Sequence, residues 1–146
     1  MHYDREIIGW VAATAGISGE MIRDLVVECV ETRFAAPRAP HSVQWLADNG
    51  SVYAATKKID MAIALNLKPC FTPVESPESN GVAEAFVKTF KRDYVRVNPI
   101  PNAATTIAAV ADWIADYNEI HPHSRLAYRS PREYIREQSQ RAACPV

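Results

Sequence analysis

Two acidic residues stand where a folded chain could bring carboxylates together. Asp48 follows the short apolar run Val43, Gln44, Trp45, Leu46, Ala47 and opens the turn sequence Asp48-Asn49-Gly50-Ser51, whereas Glu84 comes just after Ser79-Asn80-Gly81 at the start of an expected helix. The 35 intervening residues suffice for one helix, one strand and a loop that folds back. Carboxylates are hard oxygen donors, so two of them meeting on a rigid frame suit a divalent cation. Singly, each signal is weak: Asp-Asn-Gly is ordinary turn chemistry, and a glutamate is a good helix former on any solvated face.

The elements that must position these acids can be read from periodicity. Residues 43–47 read as a short, fully buried strand flanked by turn signals, which places Asp48 at a strand end. A helix over about 54–67 comes next, with Ile59, Ala62, Ile63 and Leu67 on one face, then a strand candidate at 68–72. The loop at 73–79, with Pro73 and Pro77, is free to move over a site. A helix over about 81–94 puts Phe86, Phe90 and Asp93 or Tyr94 on one side, and Glu84, Lys88 and Lys91, spaced i, i+4, i+7, on another. One face packs while the other meets a partner.

Upstream, residues 6–14 are rich in β-branched and aromatic types and read as a strand, led in by a hairpin turn at 1–5. Such a turn needs a strand on both sides, and the preceding one is absent from the sequence. Ser18 caps a helix over 19–34 in which Met21, Leu25, Val26, Cys29 and Val30 recur at helical spacing. Downstream, Thr105 or Thr106 caps a helix with the stripe Ile107, Val110, Ala111, Ile114, Tyr117. After a loop at 121–129, Ser130 and Glu133 form a capping box with Pro131 at the first helical position, predicting a short last helix to about residue 141. Strands alternating with helices predict an α/β fold around a mixed sheet.

At 146 residues the chain is the size of one domain, and 48% hydrophobic with 23% charged residues is ordinary for a globular protein. A net charge of -1 gives no global attraction to nucleic acid or membrane, so any DNA contact must come from a local basic surface. Cys29, Cys70 and Cys144 are odd in number and lack metal-binding spacing, which argues against a disulfide framework or a zinc site and for a reducing cytoplasm. No apolar run reaches the roughly 18 residues of a membrane span, so a membrane partner is not expected. His121 and His123 flank Pro122 with no third ligand spaced to join them, so packing of the loop explains them better than zinc. Trp10, Trp45 and Trp113 sit in apolar patterns and are expected in the core.

Three blocks, taken together, alter this balance: 45–51 around Asp48, 76–91 around Glu84, and Tyr117-Asn118-Glu119 with His121-Pro122-His123-Ser124 and Tyr128-Arg129-Ser130-Pro131-Arg132-Glu133-Tyr134. Over nearly the whole chain they resemble the integrase catalytic core of DDE transposases, specifically the OrfB-type transposase of bacterial insertion sequences related to the retroviral integrases. The resemblance implies an RNase H-like fold, a mixed sheet flanked by helices. It implies a polynucleotidyl transferase that cuts DNA and joins a 3′ hydroxyl to a target, in-line displacements that two metal ions can assist at both oxygens. Asp48 would be the family's second acid and Glu84 its third, both ligands for Mg²⁺ or Mn²⁺. Lys88 and Lys91 would meet DNA phosphates near the metals, although a surface ion pair on the helix also explains them. Asn80 would cap the helix and touch DNA, and the cap alone would account for it. Implied partners are insertion-sequence ends and target DNA, a companion OrfA product, and a second copy of the chain.

The sequence departs from that pattern at one point. The family's first acid sits on a strand ahead of the segment matched by 6–14, and neither Asp4, Glu6 nor Asp24 occupies an equivalent element. The expectation is a core truncated at the N-terminus and lacking the first two strands, residues 1–122 forming a partial core and 123–146 a C-terminal extension packed on it. Such a chain is expected to be inactive alone, with unpaired sheet edges. The alternatives are a catalytically silent remnant that binds DNA or a full-length transposase, and a general RNase H-like nuclease.

Overall fold

The computed structural model describes residues 4–47, 56–71 and 81–143. They fall into two compact units, Ile8–Pro99 and a discontinuous unit of Met1–Ile7 with Ile100–Val146. No helix among the described residues is long and apolar enough to cross a membrane.

The unit Ile8–Pro99 is built on a parallel strand pair. Strand β1 (Val43–Ala47) pairs with β2 (Leu67–Phe71) in the register Val43↔Leu67 to Ala47↔Phe71. Parallel neighbours need a crossover, and helix α2 (Thr56–Ala64) lies in it. Helix α1 (Gly19–Phe34) begins where Ser18 predicts: the Ser18 hydroxyl accepts from the Met21 amide at 3.2 Å. Its buried row is Ile22, Val26 and Val30, one residue per turn, and these join Ala39, Ala62, Leu65 and Leu67 in the core, with Val43 and Trp45 packed against it. The expected strand, helix, strand order therefore holds from residue 43 to residue 71.

Three expectations change ahead of residue 100. Strand β1 is not fully buried: exposure alternates along it, and Leu46 is 57% exposed, so it presents one face to the core as a one-sided strand does. Residues 6–14 form no strand, since a strand is defined by ladder partners and none of the described segments supplies one. The turn leading into it is present in part, with Arg5 at φ 64° and the Asp4 carboxylate accepting from the Glu6 amide at 3.1 Å. The stretch instead packs by side chains. Val11 lies against the core, and Gly9 lies so close to α1 that a Cβ there would stand 2.6 Å from Cys29 Sγ.

The third change concerns the expected helix over 81–94. Helix α3 (Gly81–Phe90) runs into a π-helical turn (Lys91–Val95), closed by the Arg96 amide donating to the Lys91 carbonyl at 3.0 Å. The predicted aromatic face is intact: Phe86, Phe90 and Tyr94 stack in sequence with centroids 5.4 and 5.2 Å apart, and Tyr94 is buried.

The discontinuous unit consists of the N-terminal segment, helix α4 (Ala103–Glu119), a 3₁₀ turn (Ser124–Leu126) and helix α5 (Pro131–Ala143). Helix α4 is capped by Asn102 rather than by Thr105 or Thr106: the Asn102 carboxamide accepts from the Thr105 amide at 2.8 Å, one turn earlier than expected. An extended Asn ahead of three small residues outcompetes a threonine already inside the first turn. The capping box of α5 is formed as predicted, with Glu133 accepting from the Ser130 amide (2.9 Å) and the Ser130 hydroxyl from the Glu133 amide (3.3 Å).

Candidate active site

Of the predicted site residues, Glu84, Lys88 and Lys91 lie among the described residues, and Asp48 and Asn80 lie outside them. In sequence, Asp48 directly follows Ala47, the last residue of β1, and Asn80 directly precedes Gly81, the first of α3. Glu84 occupies the first turn of α3, where the free amides of a helix start favour negative charge. With Ala83, Val87, Lys88 and Lys91 it lines one shallow, open depression on the helix surface. The i, i+4, i+7 spacing has therefore placed the acid and both lysines on a single face, opposite in character to the aromatic one.

All three side chains are exposed. Among the described residues Glu84 and Lys88 form no ion pair with each other, although their spacing permits one. The helix-surface salt bridge that competes with a phosphate-binding role is thus not formed. The neighbouring Arg92 is different. It grips the Asp93 carboxylate with Nε and Nη2 at 2.5 and 2.8 Å, and this fork raises its pKa.

No group of three or more His, Cys, Asp or Glu side chains able to hold a metal ion occurs among the described residues. Among the described residues lining the α3 depression, Glu84 is the one carboxylate, and a single carboxylate is not a metal site. The upstream acids, none of them expected to replace the family's first ligand, interact with other groups. Asp4 accepts from the Glu6 amide, Glu6 receives Arg132 at 3.1 Å, and Asp24 receives Arg23 at 3.3 Å.

The third sequence block, 117–134, builds a rigid polar scaffold in the discontinuous unit. Asn118, 2% exposed, binds the backbone of Ile7 from both sides: its Oδ1 accepts from the Ile7 amide and its Nδ2 donates to the Ile7 carbonyl, each at 2.9 Å. Its carboxamide thus does for Ile7 what a neighbouring strand would do. Around this clamp, Arg132 bridges Glu6 (3.1 Å) and Glu119 (2.7 Å), and Arg136 reaches the other Glu119 oxygen at 3.2 Å. Those two guanidinium groups hold the Glu119 carboxyl below the usual range. Composition and periodicity do not reveal this role; the only trace is a short polar residue on the apolar stripe of α4, next to Tyr117.

Packing, as expected, accounts for the histidines. His121 stacks on Tyr117 at 5.3 Å and 9°, and His123 sits edge-on to both rings. Burial, then His121 and Arg5, push the His123 imidazole down to about 4, and its Nε2 is buried with no hydrogen-bond partner among the described residues. The next loop is tight: Ala127 and Tyr128 have φ of 54° and 62°, held because the His123 carbonyl accepts from both the Leu126 and Tyr128 amides.

Comparison with known proteins identifies the family and the fold. Residues 65–131 match the family model described as Integrase core domain. An uncharacterized protein of insertion element IS136 from Agrobacterium fabrum is 58% identical over 138 residues, covering 94% of this chain and 71% of that protein. The putative transposase InsD for insertion element IS2E of Escherichia coli is 46% identical over 136 residues, covering 93% and 62%. The InsD transposase of IS2A/D/F/H/I/K is equally similar, and there the chain spans 45% of the relative's length. Among solved structures, the catalytic core domain of BIV integrase aligns with a TM-score of 0.58 at 15% identity, over 86% of this chain and 76% of that one. That likeness establishes the fold, an RNase H-like integrase core. By sequence, the chain belongs to the integrase-core family of transposases carried by bacterial insertion sequences.

Proposed function

We propose that the chain is a transposase catalytic core acting on insertion-sequence DNA, with Asp48 and Glu84 as catalytic, metal-binding acids and Asn80, Lys88 and Lys91 as DNA contacts. The observation that carries this assignment is the shared exposed face of Glu84, Lys88 and Lys91 on α3. An acid flanked by cations one and two turns on is suited to a phosphodiester: the cations neutralise the backbone, and the acid takes a cation beside it. Mg²⁺ or Mn²⁺ bound there would stabilise the attacking and leaving oxygens of an in-line displacement. Glu84 would hold the ion, Lys88 and Lys91 would fix the DNA backbone, and Asp48, next in sequence after β1, would supply the second carboxylate. The partners in this assignment are element ends and target DNA in the bacterial cytoplasm, an OrfA product that reads the ends, and a second copy of the chain. Residues 1–122 would form the core part and 123–146 an extension resting on α4.

A specific observation also favours the silent alternative for a polypeptide of these 146 residues alone. Asp4, Glu6 and Asp24 each interact with another group, which supports reading none of these three as the further acid beside Asp48 and Glu84. The test is a pair of assays on the purified 146-residue chain. Duplex DNA binding should be present at low salt and weaken as salt rises, while Mg²⁺-dependent strand transfer on element ends should be absent. Robust transfer abolished by Asp48→Asn would overturn the inactivity. Failure to bind duplex DNA at low salt would overturn the DNA assignment itself. A Mg²⁺ titration of thermal stability adds a third readout, since a complete site stabilises the fold in proportion to occupancy and an incomplete one does so poorly.

A further inference from the structure

In a regular α-helix, the residue lying one turn beyond Lys91 on its own face would be Val95, because successive turns close between i and i+4. Here the turn closes one residue later: the Arg96 amide, not that of Val95, meets the Lys91 carbonyl at 3.0 Å. A π-helical turn is rare, and such turns are found at functional sites more often than elsewhere. Tyr94 stays on the aromatic face, buried and stacked on Phe90 at 5.2 Å. The inserted residue carries the chain on by one position, so that Arg96, which is exposed, takes the place one turn beyond Lys91 that Val95 would hold in a regular helix.

We propose that this π-turn adds a third cation to the α3 face, aligning Arg96 with Lys88 and Lys91 so that three side chains meet the phosphate backbone of a duplex. The proposal rests on the DNA assignment above and extends it by one residue that α-helical spacing would exclude. Charge pairing separates the candidates. Arg92, also in the turn, is neutralised by the two-pronged grip on Asp93, whereas Lys88, Lys91 and Arg96 have no ion-pair partner among the described residues. A row of unneutralised cations along one helix fits a regularly spaced row of phosphates, and Arg adds a planar fork for phosphate oxygens.

The experiment measures binding of the 146-residue chain to a short fluorescent duplex across a salt series, by anisotropy. Each phosphate contact contributes about 0.9 to the slope of log affinity against log salt. Lys88→Gln, Lys91→Gln and Arg96→Gln should each lower that slope by about 0.9, Arg96→Lys should restore it, and Arg92→Gln should leave it unchanged. If the two lysine variants lower the slope and Arg96→Gln does not, the third contact is overturned while the DNA assignment stands. If none of the three changes it, the DNA assignment falls and the proposal with it. A double variant, Val95→Arg with Arg96→Gln, tests the register: recovery of the slope would mean that an ordinary helical turn sets the line, and would overturn the role of the π-turn.

Discussion

The amide clamp on Ile7 gives a sharp energetic expectation. Asn118→Leu keeps the approximate volume of the side chain and removes both hydrogen bonds, leaving the Ile7 amide and carbonyl to find other partners. Each bond contributes about 1 kcal/mol net, and a buried group left unsatisfied costs a further 1–3 kcal/mol or so. Ile7 is only half-buried, so water can reach part of its backbone, and the lower end of the second range applies. The expected loss is roughly 2–4 kcal/mol, or about 6–12 °C in melting temperature for a chain of this size. Because the chain has two compact units, global melting alone can blur a local loss. The decisive assay is amide hydrogen exchange at Ile7, which should lose most of its protection in Asn118→Leu while amides in β1 and β2 keep theirs. Asn118→Asp keeps an acceptor for the Ile7 amide, loses the donor for the carbonyl and buries a charge, so it should be at least as damaging. A destabilisation below about 0.5 kcal/mol with Ile7 protection unchanged would show that the clamp contributes nothing and refute the reasoning.

Local geometry sets further expectations. Ala35 and Ala127 hold φ of 50° and 54°, so glycine at either position should raise stability by about 0.5–1 kcal/mol, the relief of left-handed strain less the added freedom of the unfolded chain; denaturant midpoints would register it. Ser130→Ala removes one half of the capping box and should cost about 1 kcal/mol with fraying of α5 visible in exchange rates. The His123 imidazole titrates at about 4 in the folded protein against 6.5 when free, so between those values the unfolded chain holds the extra proton. Stability should therefore be full above about pH 6.5 and fall as pH drops toward about 4, and His123→Phe should flatten that slope in a urea series at pH 5 and pH 7. An unchanged slope would show that another group governs the acid limb.

Much of this architecture was legible from periodicity because the signals were local. Ser18 sits immediately ahead of a helical apolar row, and Ser130-Pro131-Arg132-Glu133 places a cap and its reciprocal partner within one turn. The face shared by Glu84, Lys88 and Lys91 follows from helix geometry alone. What escaped was non-local or cooperative. Residues 6–14 have strand composition, but a strand exists only with a partner, and β-propensity cannot report whether one is there. The burial of β1 on one face depends on what covers the other, which an apolar run such as Val43 to Ala47 does not state. The π-turn at Lys91 likewise leaves no mark in composition or in apolar periodicity. Asp48 and Asn80 lie outside the described residues, so the carboxylate pair itself is still a proposal.

The clamp also dictates an order of events in folding. It joins Ile7 to a residue 111 positions later in the chain, whereas Ile8–Pro99 is one uninterrupted stretch with its own core. On a ribosome Ile7 emerges well before Asn118, whose carboxamide is made only after the contiguous unit between them has been fully synthesised. That unit can collapse while Ile7 is still waiting. Closing so long a loop adds little to the final free energy, because its entropy grows only with the logarithm of length, but it is late in time. Pulse-labelling during refolding should accordingly find protection in β1 and β2 before it appears at Ile7.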